Sequence, residues 1–163
     1  MSIHLDQQIE AVLQIWDRAG ISVLPPVDGG LVRATLERID RKVSTDILQL
    51  YQACGGFADY DLYYNCWGLW SLDRIVEWNT GNSDWSAAVQ QKMIGFADVM
   101  IDSFFFCFHY ENEHISSVWI ETGEELRLAA NSLSEFLKLL LSAPGELGLL
   151  GPNWAPPGSS ARK

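Results

Sequence analysis

The chain has 163 residues, the size of one domain, and folding at that length buries roughly 70% of the surface an unfolded chain exposes. Its 48% hydrophobic, 12% aromatic and 20% charged composition is that of a folded globule and excludes intrinsic disorder, which needs low hydrophobicity with high net charge. Eleven Lys and Arg against 21 Asp and Glu leave a net charge of −10, which opposes phosphate backbones and anionic membrane surfaces and argues against nucleic acid or membrane as partners.

The first helix is predicted from His4 to Ala19, where Leu5, Ile9, Val12, Leu13, Trp16 and Ala19 recur at helical spacing and Gly20 follows as a stop. Pro25-Pro26 and Asp28-Gly29-Gly30 then read as a loop. Leu31 to Ile39 suggests a short helix, and Ser44 is placed to cap another that runs to Cys54, with Asp46 in its first turn and Gly55-Gly56 at its end. Tyr60, Tyr63, Tyr64, Trp67 and Trp70 belong to a strand-and-turn stretch. Ser71 caps a helix over Leu72 to Trp78, Asn79 to Ser83 is a loop, and a further short helix is expected from Asp84 to Lys92.

Met93 to Ala97, Ser103 to Tyr110, His114 to Ile120 and Glu125 to Ala130 are rich in aromatic and branched residues, with turns at Glu111-Asn112-Glu113 and Glu121-Thr122-Gly123. They read as an antiparallel meander. Ser132 with Glu135 makes a capping-box pattern before a last helix built on Leu133, Phe136, Leu137, Leu140 and Leu141, stopped by Pro144-Gly145. Helices, then strands, then a helix predict an α+β fold: an antiparallel sheet meander flanked by helices in a single domain. That domain is expected over residues 1–142, with an extra N-terminal helix, and a Pro/Gly-rich C-terminal tail over 143–163. The longest apolar run, Phe104 to Phe108, falls far short of the roughly 20 residues of a membrane span, and the opening MSIHLDQQIE lacks the cationic and apolar regions of a signal peptide. A cytoplasmic location is expected.

No catalytic constellation emerges. Cys54, Cys66 and Cys107 are odd in number and lack metal spacing, so they read as reduced thiols serving as small apolar side chains. Cys66 is the most accessible by context, yet no base stands near it in sequence. His109, Glu111, Glu113 and His114 invite a metal reading by ligand type. A polar hairpin tip explains them better, because the two histidines fall on flanking strands. Asp98 and Asp102, four apart, have the spacing of paired carboxylates, but most such pairs are solvated acids. Neither Walker loop nor GxGxxG motif is present, and no metal, cofactor or catalytic residue is expected.

Charge is unevenly spread. Residues 1–50 carry seven acids and five bases, residues 51–136 thirteen and three, and residues 137–163 one and three, so the middle holds the whole net charge. There Asp59, Tyr60, Asp61, Tyr63, Tyr64, Trp67 and Trp70 mix acids with aromatics, the residue types that anchor protein interfaces; core packing is the plainer explanation of each aromatic taken singly. The candidate partner-binding residues are therefore Asp59, Asp61, Glu111 and Glu113 as rim acids and Tyr60 and Trp67 as anchors.

The order of LQLYQACGGF (Leu48 to Phe57), LWSLDRIVEWN (Leu69 to Asn79), IGFADVMIDSFFFCFHY (Ile94 to Tyr110), VWIETGEELRLAA (Val118 to Ala130) and SLSEFLKLLL (Ser132 to Leu141) resembles the SUKH superfamily. Bacterial immunity proteins and a fungal cell-wall-assembly regulator belong to that superfamily. The likeness runs from about residue 45 to 141, with Val43-Ser44 in place of the family's Leu-Pro lead-in and Ala97 to Asp102 in place of a Gly/Asp-rich stretch. The resemblance implies a non-enzymatic binding domain, encoded beside a secreted polymorphic toxin and blocking it. A basic protein toxin domain, such as a nuclease, is the partner it implies, and the acidic charge suits that partner. Two other classes stay open: a regulatory scaffold without a toxin, and an enzyme acting on a small cationic substrate held by Asp59, Asp61, Tyr64 and Trp67.

Overall fold

Helical periodicity becomes six helices and strand alternation becomes five strands in the computed structural model, which describes residues 3–58, 67–99 and 104–147. The helices are α1 (Ile3–Arg18), α2 (Gly29–Arg38), α3 (Thr45–Ala53), α4 (Leu72–Gly81), α5 (Ala87–Gln90) and α6 (Leu133–Ser142). The strands are β1 (Trp67–Leu69), β2 (Ile94–Val99), β3 (Phe104–Tyr110), β4 (Ser116–Glu121) and β5 (Leu126–Ala130). All five pair antiparallel in sequence order, with α4 and α5 inserted between β1 and β2. The fold is α+β, as the sequence predicts.

Local chemistry explains most boundaries. Gly20 follows α1 with φ of +79°, a left-handed conformation that glycine adopts without strain. The Asp28 carboxylate accepts from the Leu31 amide and starts α2 two residues earlier than hydrophobic spacing suggests. Ser71 caps α4 by accepting from the Arg74 amide, and Ser132 caps α6 by accepting from the Glu135 amide at 3.0 Å. The return half of the box goes to the Asn131 amide, which the Glu135 carboxylate accepts.

Three expectations need correction. Ser44 makes no capping bond; its hydroxyl is buried and engages the Asp46 carboxylate and, at 2.7 Å, the Ser116 hydroxyl. Residues 79–81, expected in a loop, continue α4, because the Asn79 side chain bonds the Ile75 carbonyl behind it and both polar groups of Gly95 on β2. Only Ala87–Gln90 of the segment from Asp84 to Lys92 is helical, started by Ser86. After α6, residues 144–147 form one 3-10 turn with Leu147 buried.

Strand alternation sends the aromatics of β3 to two cores. Phe106 and Phe108 meet Phe96, which stacks on Phe108 at 3.8 Å between ring centres, and Phe136 of α6 closes on Phe96 and Phe106. Trp67 joins this side against Trp16, Phe57 and Phe136. Phe105 points the other way, into Trp70 and Trp78 beneath α4. Gly95 lies under the Trp78 ring so closely that a Cβ would stand 2.4 Å from it. The extra N-terminal helix belongs to the same core: Leu5, Ile9, Val12 and Trp16 are all buried, and α1 packs on α6 and α3.

Candidate protein-binding surface

The β3–β4 hairpin tip is a braced structure. Glu111 and Asn112 amides both donate to the Ile115 carbonyl at 3.1 Å. The Asn112 side-chain oxygen accepts from the amides of His114 at 2.8 Å and Ile115 at 3.0 Å, a turn that asparagine favours. The tip is also fastened to the start of α3. The Thr45 amide donates to the Glu113 carbonyl at 2.8 Å. The Ser116 amide donates to Asp46 Oδ2 at 3.0 Å, and the Ile47 amide to Asp46 Oδ1 at 2.8 Å. Asp46 is only 6% exposed. Burial raises its pKa, while these donors, Ser44 and the Leu133 amide pull against that shift.

Register decides which residues share the outer face. His109 lies opposite Ser117, Cys107 opposite Trp119 and Trp119 opposite Leu128, and opposed residues of an antiparallel pair point the same way. Ser117 Oγ donates to Glu111 Oε1 at 2.6 Å, Trp119 Nε1 donates to Ser117 Oγ at 2.9 Å, and His109 Nδ1 stands 2.9 Å from Glu111 Oε1. The bonds from Ser117 and His109 hold the Glu111 carboxyl below its ordinary pKa. Trp119 is half-buried and Leu128 is 43% exposed. The result is a small apolar patch bordered by a fixed carboxylate.

Of the residues singled out from sequence, Glu111 and Glu113 stand exposed at this tip. Trp67 does not reach the surface: it is 2% exposed and packed among Trp16, Phe57 and Phe136, so its role is core packing and not anchoring, because β1 turns that side chain toward α1 and α6. Asp59, Tyr60 and Asp61 lie outside the described residues, as do Tyr64, Cys66 and Asp102. Trp119 and Leu128 were missed, since only the strand register shows that they flank Glu111. Cys54 and Cys107 are buried free thiols whose pKa values burial pushes up, a setting for inert packing. Asp98 is buried and accepts from Trp70 Nε1 at 3.0 Å. Among the described residues no three His, Cys, Asp or Glu side chains gather as metal ligands, and none of the helices is long and apolar enough to cross a membrane.

The model of the SMI1 / KNR4 family (SUKH-1) matches residues 26–139. The chain belongs to that family. The match takes in α2 as well as the segments that carry the resemblance, and it leaves α1 as an addition packed onto the SUKH-1 core. A comparison with curated proteins gives no match.

Proposed function

We propose that this SUKH-1 protein is an immunity-type binding domain that captures a basic protein toxin domain and occludes it. Family membership is consistent with such a role. The observation that carries the surface assignment is the braced hairpin tip, where Glu111 is fixed beside the Trp119–Leu128 patch. A preorganised tip loses little conformational freedom on docking. Apolar contact then supplies affinity, while carboxylates steer a cationic partner and raise the encounter rate. Glu113, Asp59 and Asp61 are assigned to the acidic rim and Tyr60 to an anchor; Trp67 is withdrawn from that set.

The test is a binding titration of the full chain against the C-terminal domain of a secreted protein encoded beside it, with the toxin's activity followed in parallel. The expected result is a stoichiometric complex in which that activity is lost, and weaker binding when Trp119 or Leu128 is replaced by Ala in a folded variant. Absence of any complex with such a domain overturns the toxin reading.

A further inference from the structure

One cleft gathers bases and acids together. A cavity of about 420 Å³ is lined by three bases, Arg33, Arg41 and Lys42, and three acids, Glu37, Asp40 and Glu113, with Thr45 and Tyr110 beside them, and a second of about 250 Å³ shares Asp40, Lys42 and Tyr110 with it and adds Lys92 and His109. The larger volume is that of a small-molecule site. Two of the bases are matched by acids: Arg33 lies 3.8 Å from Glu37, and Lys92 pairs with Asp40. Arg41 and Lys42 have no carboxylate partner among the described residues.

Arg41 is the unusual one, because it is only 8% exposed. Its Nε donates to the Met93 carbonyl at 2.9 Å, and its Nη1 to the carbonyls of Ile39 at 3.0 Å and Asp40 at 3.3 Å. Those bonds fix the guanidinium plane and use one of its two terminal nitrogens. Nη2 has no partner among the described residues, and Arg41 lines the cleft. A buried charge normally has a counter-charge; the carboxylate that acts on Arg41 is that of Asp40, which Lys92 already engages. Lys42 extends from the same wall, its Nζ 5.4 Å from the centre of the Tyr110 ring.

We propose that this cleft binds a phosphate monoester group through Arg41 and Lys42. A guanidinium edge held in place suits the oxygens of a phosphoryl group, and a flexible ammonium completes the charge. Two cations match a phosphoryl dianion with its three acceptor oxygens, whereas one carboxylate leaves a positive charge over. Thr45 lines the same cavity, its hydroxyl 3.4 Å from the His114 carbonyl, and Tyr110 offers a flat surface to the group that carries the phosphate. Glu113 opposes the ligand from the rim, as do Glu37 and Asp40 less strongly because their charges are already engaged. The site shares Glu113 with the acidic rim of the toxin reading but does not depend on that reading, since its argument does not use the Trp119 face.

The test is an amide chemical-shift titration of the full chain with inorganic phosphate, with acetate in parallel at equal ionic strength. Saturable shifts at Arg41, Lys42, Thr45 and Tyr110 are expected for phosphate, with acetate weaker. Lys42→Met, at an exposed position that leaves the fold intact, is expected to weaken phosphate about tenfold, the usual scale for one charge-assisted bond. Glu113→Gln is expected to tighten it by removing the repulsion. Shifts that rise linearly without saturation, acetate binding as tightly as phosphate, or equal affinity in both variants and the wild type overturn the proposal.

Discussion

Replacing Asp46 with Ala removes the buried acceptor that joins α3 to the hairpin tip. The Ile47 amide at 2.8 Å and the Ser116 amide at 3.0 Å lose their partner, whereas the Ser44 hydroxyl keeps Ser116 Oγ at 2.7 Å. Two unsatisfied buried amides cost about 1–3 kcal/mol each, and removal of a desolvated carboxylate offsets part of that, so the net loss is expected to be about 2–3 kcal/mol. Urea unfolding followed by tryptophan fluorescence measures it; with a slope of about 2 kcal/mol/M the midpoint falls by about 1 M or more. The loss also depends on pH. The folded pKa of Asp46 lies above 3.8, so the fold favours the protonated acid. That contribution is fully present below pH 3.8 and is lost as pH rises through the raised folded value. The deficit of Asp46→Ala against wild type is therefore larger near about pH 3.5 than near about pH 7. A midpoint shift under about 0.3 M, or a deficit that grows with pH, refutes the reasoning.

Trp67→Ala is expected to lose about 3–5 kcal/mol of stability in thermal unfolding, as a large core truncation does; a fully stable variant with weakened partner binding restores Trp67 as an anchor. Gly95→Ala drives a methyl into the Trp78 ring and is expected to cost about 1–3 kcal/mol with a changed fluorescence spectrum, whereas unchanged stability and emission contradict the packing described. Removal of residues 1–20 uncovers the partners of Leu5, Ile9, Val12 and Trp16 and is expected to abolish the cooperative transition in calorimetry; a sharp, undiminished transition shows that α1 is dispensable. Glu111 has the opposite sign to Asp46: its folded pKa is below 4.5, so its contribution is present above pH 4.5 and disappears as pH falls through the folded value. The stability gap between wild type and Glu111→Gln is thus expected to close on acidification, and a gap that widens in acid contradicts the Ser117 and His109 bonds.

The architecture was legible because its signals are local. Apolar spacing gave α1 and α6, and the turns expected at residues 111–113 and 121–123 separated strands that pair in chain order, although Glu121 is the last residue of β4 and not part of the second turn. The end of α4 was not legible, because Asn79 is a helix residue only through its bonds to Ile75 and Gly95, and Gly95 lies 16 residues away. The candidate surface was legible in part. Glu111 and Glu113 stand out as turn acids, but composition does not show which face an aromatic takes: Trp67 turns inward while Trp119 and Leu128 remain at the surface. Arg41 was hidden for the same reason. Its carbonyl partner Met93 is 52 residues away, and an arginine beside Lys42 just after a short helix reads as a solvated charge.

The most direct test of the proposed acidic capture surface is the association rate constant with a basic toxin domain, measured by stopped flow at low and physiological salt for wild type and for the Glu113→Lys/Asp59→Lys/Asp61→Lys variant. Electrostatic steering predicts a wild-type rate that falls steeply with salt, and a folded variant slower by about tenfold or more at low salt, with the gap narrowing as salt rises. Equal rates for the two proteins at both salts contradict capture by this acidic surface.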